Sequence, residues 1–202
     1  MIVNKNDLQY YLACDKVALG IKKSQPKLFR DEIWRFERVL RKAEFFNNQI
    51  GGGILLKIRR LVINSLYHYL SVKLGFEIPY NVFGPGLAIV HRGTIVVAGG
   101  AEVGANCRIH EGVTIGATNG SSRAAHIGDN VFISTGAKII GEVTISDNVA
   151  IAANAVVVKD VICDGGCTVG GIPAKIISGN NSRLNLKPAT EIVDKSKFYC
   201  SK

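Results

Sequence analysis

The chain has 202 residues, 47% of them hydrophobic, and a formal net charge of +9, which suits one or two domains with a sizeable core. It shows no basic, apolar, small-residue leader pattern and no run long enough to cross a bilayer, so a cytoplasmic protein without membrane contact is expected. Five cysteines, an odd number without zinc-like spacing, argue against a disulfide framework and against a metal site.

Residues 1–75 read as helical. A first amphipathic stretch opens at Asp7-Leu8-Gln9-Tyr10 and ends near Leu19-Gly20. A second runs from Lys27 to Asn47, with Leu28, Ile33, Trp34, Phe36, Leu40, Phe45 and Phe46 at the spacings of three and four that a buried helical face needs. Gly51-Gly52-Gly53 interrupts it, and a third helix from Ile54 to Leu74 ends on Gly75, a residue suited to a C-cap. These 75 residues hold 14 basic and 6 acidic side chains. That balance fits a solvated helical face better than a nucleic-acid surface, because no basic residues interleave with aromatic ones.

From Phe83 the chain keeps a period of six. Apolar residues, mostly aliphatic, stand at Phe83, Ile89, Ile95, Val103, Ile109 and Ile115, then at Ile127, Ile133, Ile139, Ile145, Ile151, Val157, Cys163 and Val169. A second small or apolar residue follows four places later, as at Cys107, Val131, Ala155 and Cys167. A fixed short period over this length means a solenoid: three short strands close each triangular coil and point their first residues at a common axis. Coils then stack at roughly 4.8 Å, the ordinary strand spacing. Asn106, Asn130, Asn148 and Asn154 occupy the fourth position, where a tight corner favours a residue that tolerates positive φ. Cys163 and Cys167 fall on inward positions and are expected as small apolar fillers. The register breaks twice: the hexad at Ile95 is two residues too long, and residues 117–126 are inserted after Ile115. Insertions project from a solenoid edge and commonly carry function.

Within this stretch stand Gly86-Leu87-Ala88-Ile89-Val90-His91, Thr94-Ile95-Val96-Val97, Val113-Thr114-Ile115-Gly116, Gly136-Ala137-Lys138-Ile139-Ile140-Gly141 and Gly170-Gly171-Ile172-Pro173-Ala174-Lys175. These motifs resemble hexapeptide-repeat acyltransferases with a left-handed parallel β-helix, in particular serine acetyltransferases and related polysaccharide O-acetyltransferases. The expected layout is a helical region over 1–75, a mainly β left-handed β-helix domain over 76–178 and a flexible tail over 179–202. The short period does not fix the hand of the coil; the left hand is what the resemblance implies.

The resemblance implies transfer of an acetyl group from acetyl-CoA, without a metal, to an acceptor hydroxyl. It makes His91 the general base, and an imidazole with an ordinary pKa of ~6.5 is mostly neutral at cytoplasmic pH. The carboxylate expected to orient His91 is Glu77, in a segment one residue shorter than the family's. Arg123 matches a substrate-contacting Arg in the protruding loop. The family's neighbouring His is Ala124 here, leaving His126 as the substitute, and Val90 stands where the family has Asp. His110, on the outer wall, gains no role from the resemblance. The expected acetyl-CoA contacts are Gly116, Ala117, Ser134, Thr135, Ala152 and Ala153 along the edge, with Lys159 and Lys175 for phosphates. L-serine and a sugar hydroxyl of a surface-polysaccharide precursor both remain open as acceptors. A homotrimer is expected, or a hexamer if the helical regions also pair; a non-catalytic trimeric scaffold is the alternative. The chain ends Tyr199-Cys200-Ser201-Lys202 and not in the isoleucine by which serine acetyltransferases engage a sulfhydrylase, so that partner is not expected.

Overall fold

The computed structural model describes residues 1–27 and 30–199; Leu28, expected on the buried side of the second helix, and the Cys200–Lys202 end lie outside them. Helix α1 spans Lys5–Ala18, α2 Glu32–Asn48 and α3 Ile54–Leu74. At the start of α1, the Asn4 side chain accepts from Asp7 N–H and the Asp7 carboxylate accepts from Asn4 N–H, closing a reciprocal cap. The second helix begins at Glu32, five residues after the expected Lys27. Gly75 ends α3 at φ 77°, and Ile95 N–H donates to its carbonyl, so the helix passes directly into the first coil. Among the described residues no helix is long and apolar enough to cross a membrane.

Three sheets form the walls of a prism. The first wall stacks Phe76–Glu77, Ile95–Val97, Thr114–Gly116, Lys138–Ile140 and Val156–Val157. The second holds Glu102–Val103, His126–Ile127 and Thr144–Ile145, and the third begins with Ala88–Ile89 and stacks Arg108–Ile109, Phe132–Ile133, Ala150–Ile151 and Thr168–Gly170. All these pairs are parallel; one antiparallel strand, Lys175–Ser178, closes the third wall. The inward residues Ile89, Ile95, Ile109, Ile115, Ile127, Ile133, Ile139, Ile145, Ile151 and Val157 are buried in one continuous core. Each such side chain contributes about 1.5–3 kcal/mol when fully buried, so the repeat is the main source of cohesion. Asn106, Asn130, Asn148 and Asn154 adopt φ between 56° and 59°, the corner conformation their side chains tolerate.

The last coil departs from the hexad. Val161, and not Cys163, bridges to Ile145, because the step from Val157 is four residues and the next, to Val169, is eight. Cys163 leaves the axis, is only partly buried, and forms a disulfide with Cys167. That corrects both the filler role of Cys163 and the expectation of no disulfide. Cys107 is buried as a free thiol.

Residues 179–199, expected as flexible, form a 3-10 turn at Ser182–Leu184 and short helices α4 (Ala189–Ile192) and α5 (Ser196–Tyr199). They follow the corner between the second and third walls, where Asn106 donates to Asn130 at 2.8 Å and Asn130 to Asn148 at 3.2 Å. Thr190 N–H donates to Asn106 Oδ1 at 3.0 Å and Arg183 Nε to Asn148 Oδ1 at 3.1 Å. Phe198 then packs edge-on to Tyr10 of α1.

The helices close the open end of the prism, where the first coil has no coil before it to pair with. Buried ionisable side chains take its backbone groups. Arg41 donates to Phe83 O at 2.8 Å and Gly84 O at 2.6 Å, while Asp15 accepts from Gly86 N–H and Leu87 N–H at 2.8 and 2.9 Å. Glu37 accepts from Ile89 N–H at 2.8 Å and Glu44 from Asn81 N–H at 2.9 Å. Arg41 also pairs with Asp15 at 2.8 Å and Glu44 at 3.1 Å. The outward side of α3 is different: Ile54, Ile58, Leu61, Val62, Tyr69 and Val72 are exposed.

Two outcomes follow from the cap. Arg41→Met should lower stability by about 3–5 kcal/mol, the usual cost of leaving a buried charge unpaired; a thermal midpoint within 2 °C of wild type contradicts this. Burial, and then the charge of Asp15, holds the Glu37 carboxyl well above its ordinary 4.5. The folded chain therefore keeps a proton that the unfolded chain releases, and this stability begins to fade above pH 4.5 and is gone once pH passes the raised folded value. Glu37→Gln keeps an acceptor for Ile89 N–H, so its thermal midpoint relative to wild type should rise steadily with pH; parallel curves from pH 5 to 9 contradict this.

Candidate functional site

His91 sits where the first coil turns from the third wall to the first. The pairings Ile89–Ile109, Ile109–Ile133 and Ile133–Ile151 carry the register around this corner. They stack His91, Glu111, Thr135 and Ala153 in one row, and Val90, His110, Ser134 and Ala152 in the row beside it. Because Ile89 and Ile109 point inward, the residues after them face out. His91 is exposed, while His110 and Glu111 are half-buried.

The His110 ring meets His91 edge-on, with centroids 5.4 Å apart at 86°, and meets Phe132 at 5.1 Å and 89°. Burial first, then the charges of Arg108 and His91, hold His110 below its ordinary 6.5, so its ring is largely neutral at neutral pH. Thr135 Oγ1 donates to Glu111 Oε1 at 2.6 Å. That bond is the main reason the Glu111 carboxyl lies below its ordinary 4.5, and the group is ionised at neutral pH. One ring nitrogen each of His91 and His110 and one carboxylate oxygen of Glu111 lie within 4.8 Å of one another.

The other expected residues are distributed around this corner. Glu77 is exposed on the first wall, paired with Val96, and among the described residues no hydrogen bond or ion pair joins it to His91. Ser134, Thr135, Ala152 and Ala153 lie along the His91 corner, forming a lane of small side chains below it. Gly116 and Ala117 lie at the other edge of the first wall, with Lys159 on the turn below them; Lys175 is in the closing antiparallel strand. The eight expected contacts thus form two rows, on opposite edges of the first wall, plus Lys175.

The two register breaks belong to one structural unit. A Cβ on Gly100, in the long hexad, would lie 1.7 Å from Ser122 O in the inserted loop, and Ala124 N–H donates to Gly100 O at 3.3 Å. Only glycine permits that approach. The loop carries exposed Arg123, ion-paired to Glu142 at 3.0 Å, whereas Ala124 and Ala125 are buried. His126 lies on the second wall with Nδ1 3.2 Å from Glu102 Oε2. Within one chain, then, Arg123 and His126 lie on a different edge from His91. A groove of about 480 Å3 runs between the N-terminus and the second wall and is lined by Glu44, Glu102, Asp129 and Asp147 among others; it does not include His91.

Sequence reasoning missed His110 and Glu111 because their significance lies in cross-coil register. The signal was present in Ile109-His110-Glu111 beneath Ile89-Val90-His91, once the two-residue excess of the long hexad is counted.

Residues 124–159 match the family described as bacterial transferase hexapeptide (six repeats). A serine acetyltransferase of Synechococcus elongatus is 39% identical over 135 residues, which is 65% of this chain and 54% of that protein. The chain therefore spans about half the length of this curated relative. Among solved structures, serine acetyltransferase from Brucella abortus strain S19 superposes with a TM-score of 0.65 at 26% identity, over 88% of this chain and 72% of that one. The same enzyme in complex with coenzyme A gives 0.60 at 25% identity, over 87% of this chain and 68% of that one. The helical cap, the three-walled repeat and the His91 corner thus form a hexapeptide-repeat chain that resembles serine acetyltransferases.

Proposed function

We propose that the chain is an acetyl-CoA-dependent O-acetyltransferase with His91 as general base. The observation that carries this reading is the exposed imidazole at the head of a lane of small residues, on a corner whose other members include a neutral imidazole and an ionised carboxylate. The relatives support it as well, since a similar structure is named as a complex with coenzyme A. On this reading His91 removes the acceptor hydroxyl proton as that oxygen attacks the thioester carbonyl. The C–S bond breaks, and the imidazolium returns the proton to the departing sulfur, leaving an acetyl ester and free CoA. The resemblance further supports a left-handed coil.

A trimer suits the layout of the candidate contacts. Contact between the His91 corner of one subunit and the far edge of a neighbour's first wall would bring together Ser134, Thr135, Ala152 and Ala153 with Gly116, Ala117 and Lys159. It would also bring Arg123 of the inserted loop toward His91. The exposed apolar side of α3 supports further pairing of trimers into a hexamer.

Two acceptors are consistent with this site. The relatives named for serine favour L-serine, whose carboxylate would meet the planar Arg123 fork. Val90, apolar beside the base, and the buried Ala124 favour an uncharged sugar hydroxyl. CoA release, measured with L-serine, homoserine, simple sugars and nucleotide sugars, should show saturable turnover with one class, and His91→Ala should lower kcat about 10²–10⁴-fold. If serine is the acceptor, Arg123→Ala should raise its KM strongly; if a neutral sugar is, the change should be small. No turnover with any acceptor, from a protein that assembles as a trimer, would favour a non-catalytic scaffold.

A further inference from the structure

The corner holds a carboxylate in a better position than Glu77. Glu111 lies directly beneath His91 in the stacked coils, and its two oxygens differ in role. Oε1 accepts from Thr135 Oγ1, and Thr135 also donates to the Glu111 backbone carbonyl at 3.2 Å, which fixes the carboxylate from below. Oε2 is buried and, among the described residues, has no hydrogen-bond partner. His110 Nε2 is likewise buried without one, while its ring stands between His91 and Phe132. A buried oxygen without a donor is destabilising unless a donor is brought to it.

We propose that Glu111 is the positioning carboxylate for His91, orienting its imidazole and holding the imidazolium, with His110 as the wall that limits the ring to that orientation. The orienting group comes from the coil after the base and not from the coil before it. This rests on the reading of His91 as the base. One ring nitrogen of His91 and one carboxylate oxygen of Glu111 lie within 4.8 Å of each other, and catalytic hydrogen bonds are commonly long until substrate is bound. The other charges around the corner are committed elsewhere or are cationic. Arg92 pairs with Glu32 at 2.5 Å, Lys138 donates to Gly112 O, and Arg108 lies beside His110. Glu111 is therefore the anion available to the His91 ring, and neutral His110 does not compete for it.

Histidine ring NMR over pH 5–9 tests this in the assembled protein without any acceptor. In Glu111→Gln the His91 signal should change over at lower pH than in wild type, by an amount equal to a several-fold to tenfold loss of proton affinity. Glu111→Asp, which keeps the charge, should restore most of it, and Glu77→Gln should leave it unmoved. In turnover, Glu111→Gln should lower kcat at least tenfold with the KM for acetyl-CoA little changed, and shift the acid limb of the pH–rate profile with the NMR midpoint. Unmoved His68 and His126 signals will show that the variant is folded. An unchanged His91 midpoint in Glu111→Gln, or one that moves in Glu77→Gln instead, overturns the assignment. Absence of CoA release in wild type is a separate result, which overturns the acetyl-transfer reading and leaves the NMR outcome to stand alone.

Discussion

A stacked coil must satisfy its backbone on both sides, and the first coil has a neighbour on only one. That constraint explains the helical region. Phe83 O, Gly84 O, Gly86 N–H, Leu87 N–H and Ile89 N–H would otherwise be buried without partners, and Arg41, Asp15 and Glu37 satisfy them. The arrangement has little tolerance for change, because the Arg41 charge is removed from water and is stable only with Asp15 and Glu44 in place. It also reaches the site. Glu37 holds the backbone of Ile89, two residues before His91, so the helices fix the coil that carries this imidazole.

The repeat was legible because its side chains obey a period that the fold needs at every coil. The positive φ of Asn106, Asn130, Asn148 and Asn154 and the Gly75 cap were readable for the same reason: local geometry selects those residues. Where the structure depends on distant contacts, the sequence was silent. Asp15, Glu37, Arg41 and Glu44 look like the polar side of ordinary helices until the open coil is placed against them. The segment after Gly179 has no periodicity because its partners are the corner asparagines, as in the bond between Thr190 and Asn106 across 84 residues. Cys163 was misplaced because steps of four and eight residues sum to two hexads, which hides the shift from any count of six.

The candidate site shows the same division. The sequence singled out His91 by its motif and its outward position, and the structure places it exposed at a corner. Its surroundings depend on which residues come to lie beneath it, and the long hexad at Ile95 displaces that register by two, bringing His110 and Glu111 under Val90 and His91. The same long hexad supplies Gly100, against which the inserted loop packs. One irregularity therefore both sets the environment of His91 and seats the loop that carries Arg123.

The central claim is that the thioester lies along the His91 corner and not in the groove beside the second wall. Hydrogen–deuterium exchange of the assembled protein, with and without saturating CoA, locates the ligand directly. The account predicts slowed exchange at residues 133–136 and 151–154, with the groove around Glu102 and Asp129 unchanged. Protection confined to that groove, with the corner exchanging as in the free protein, would contradict it.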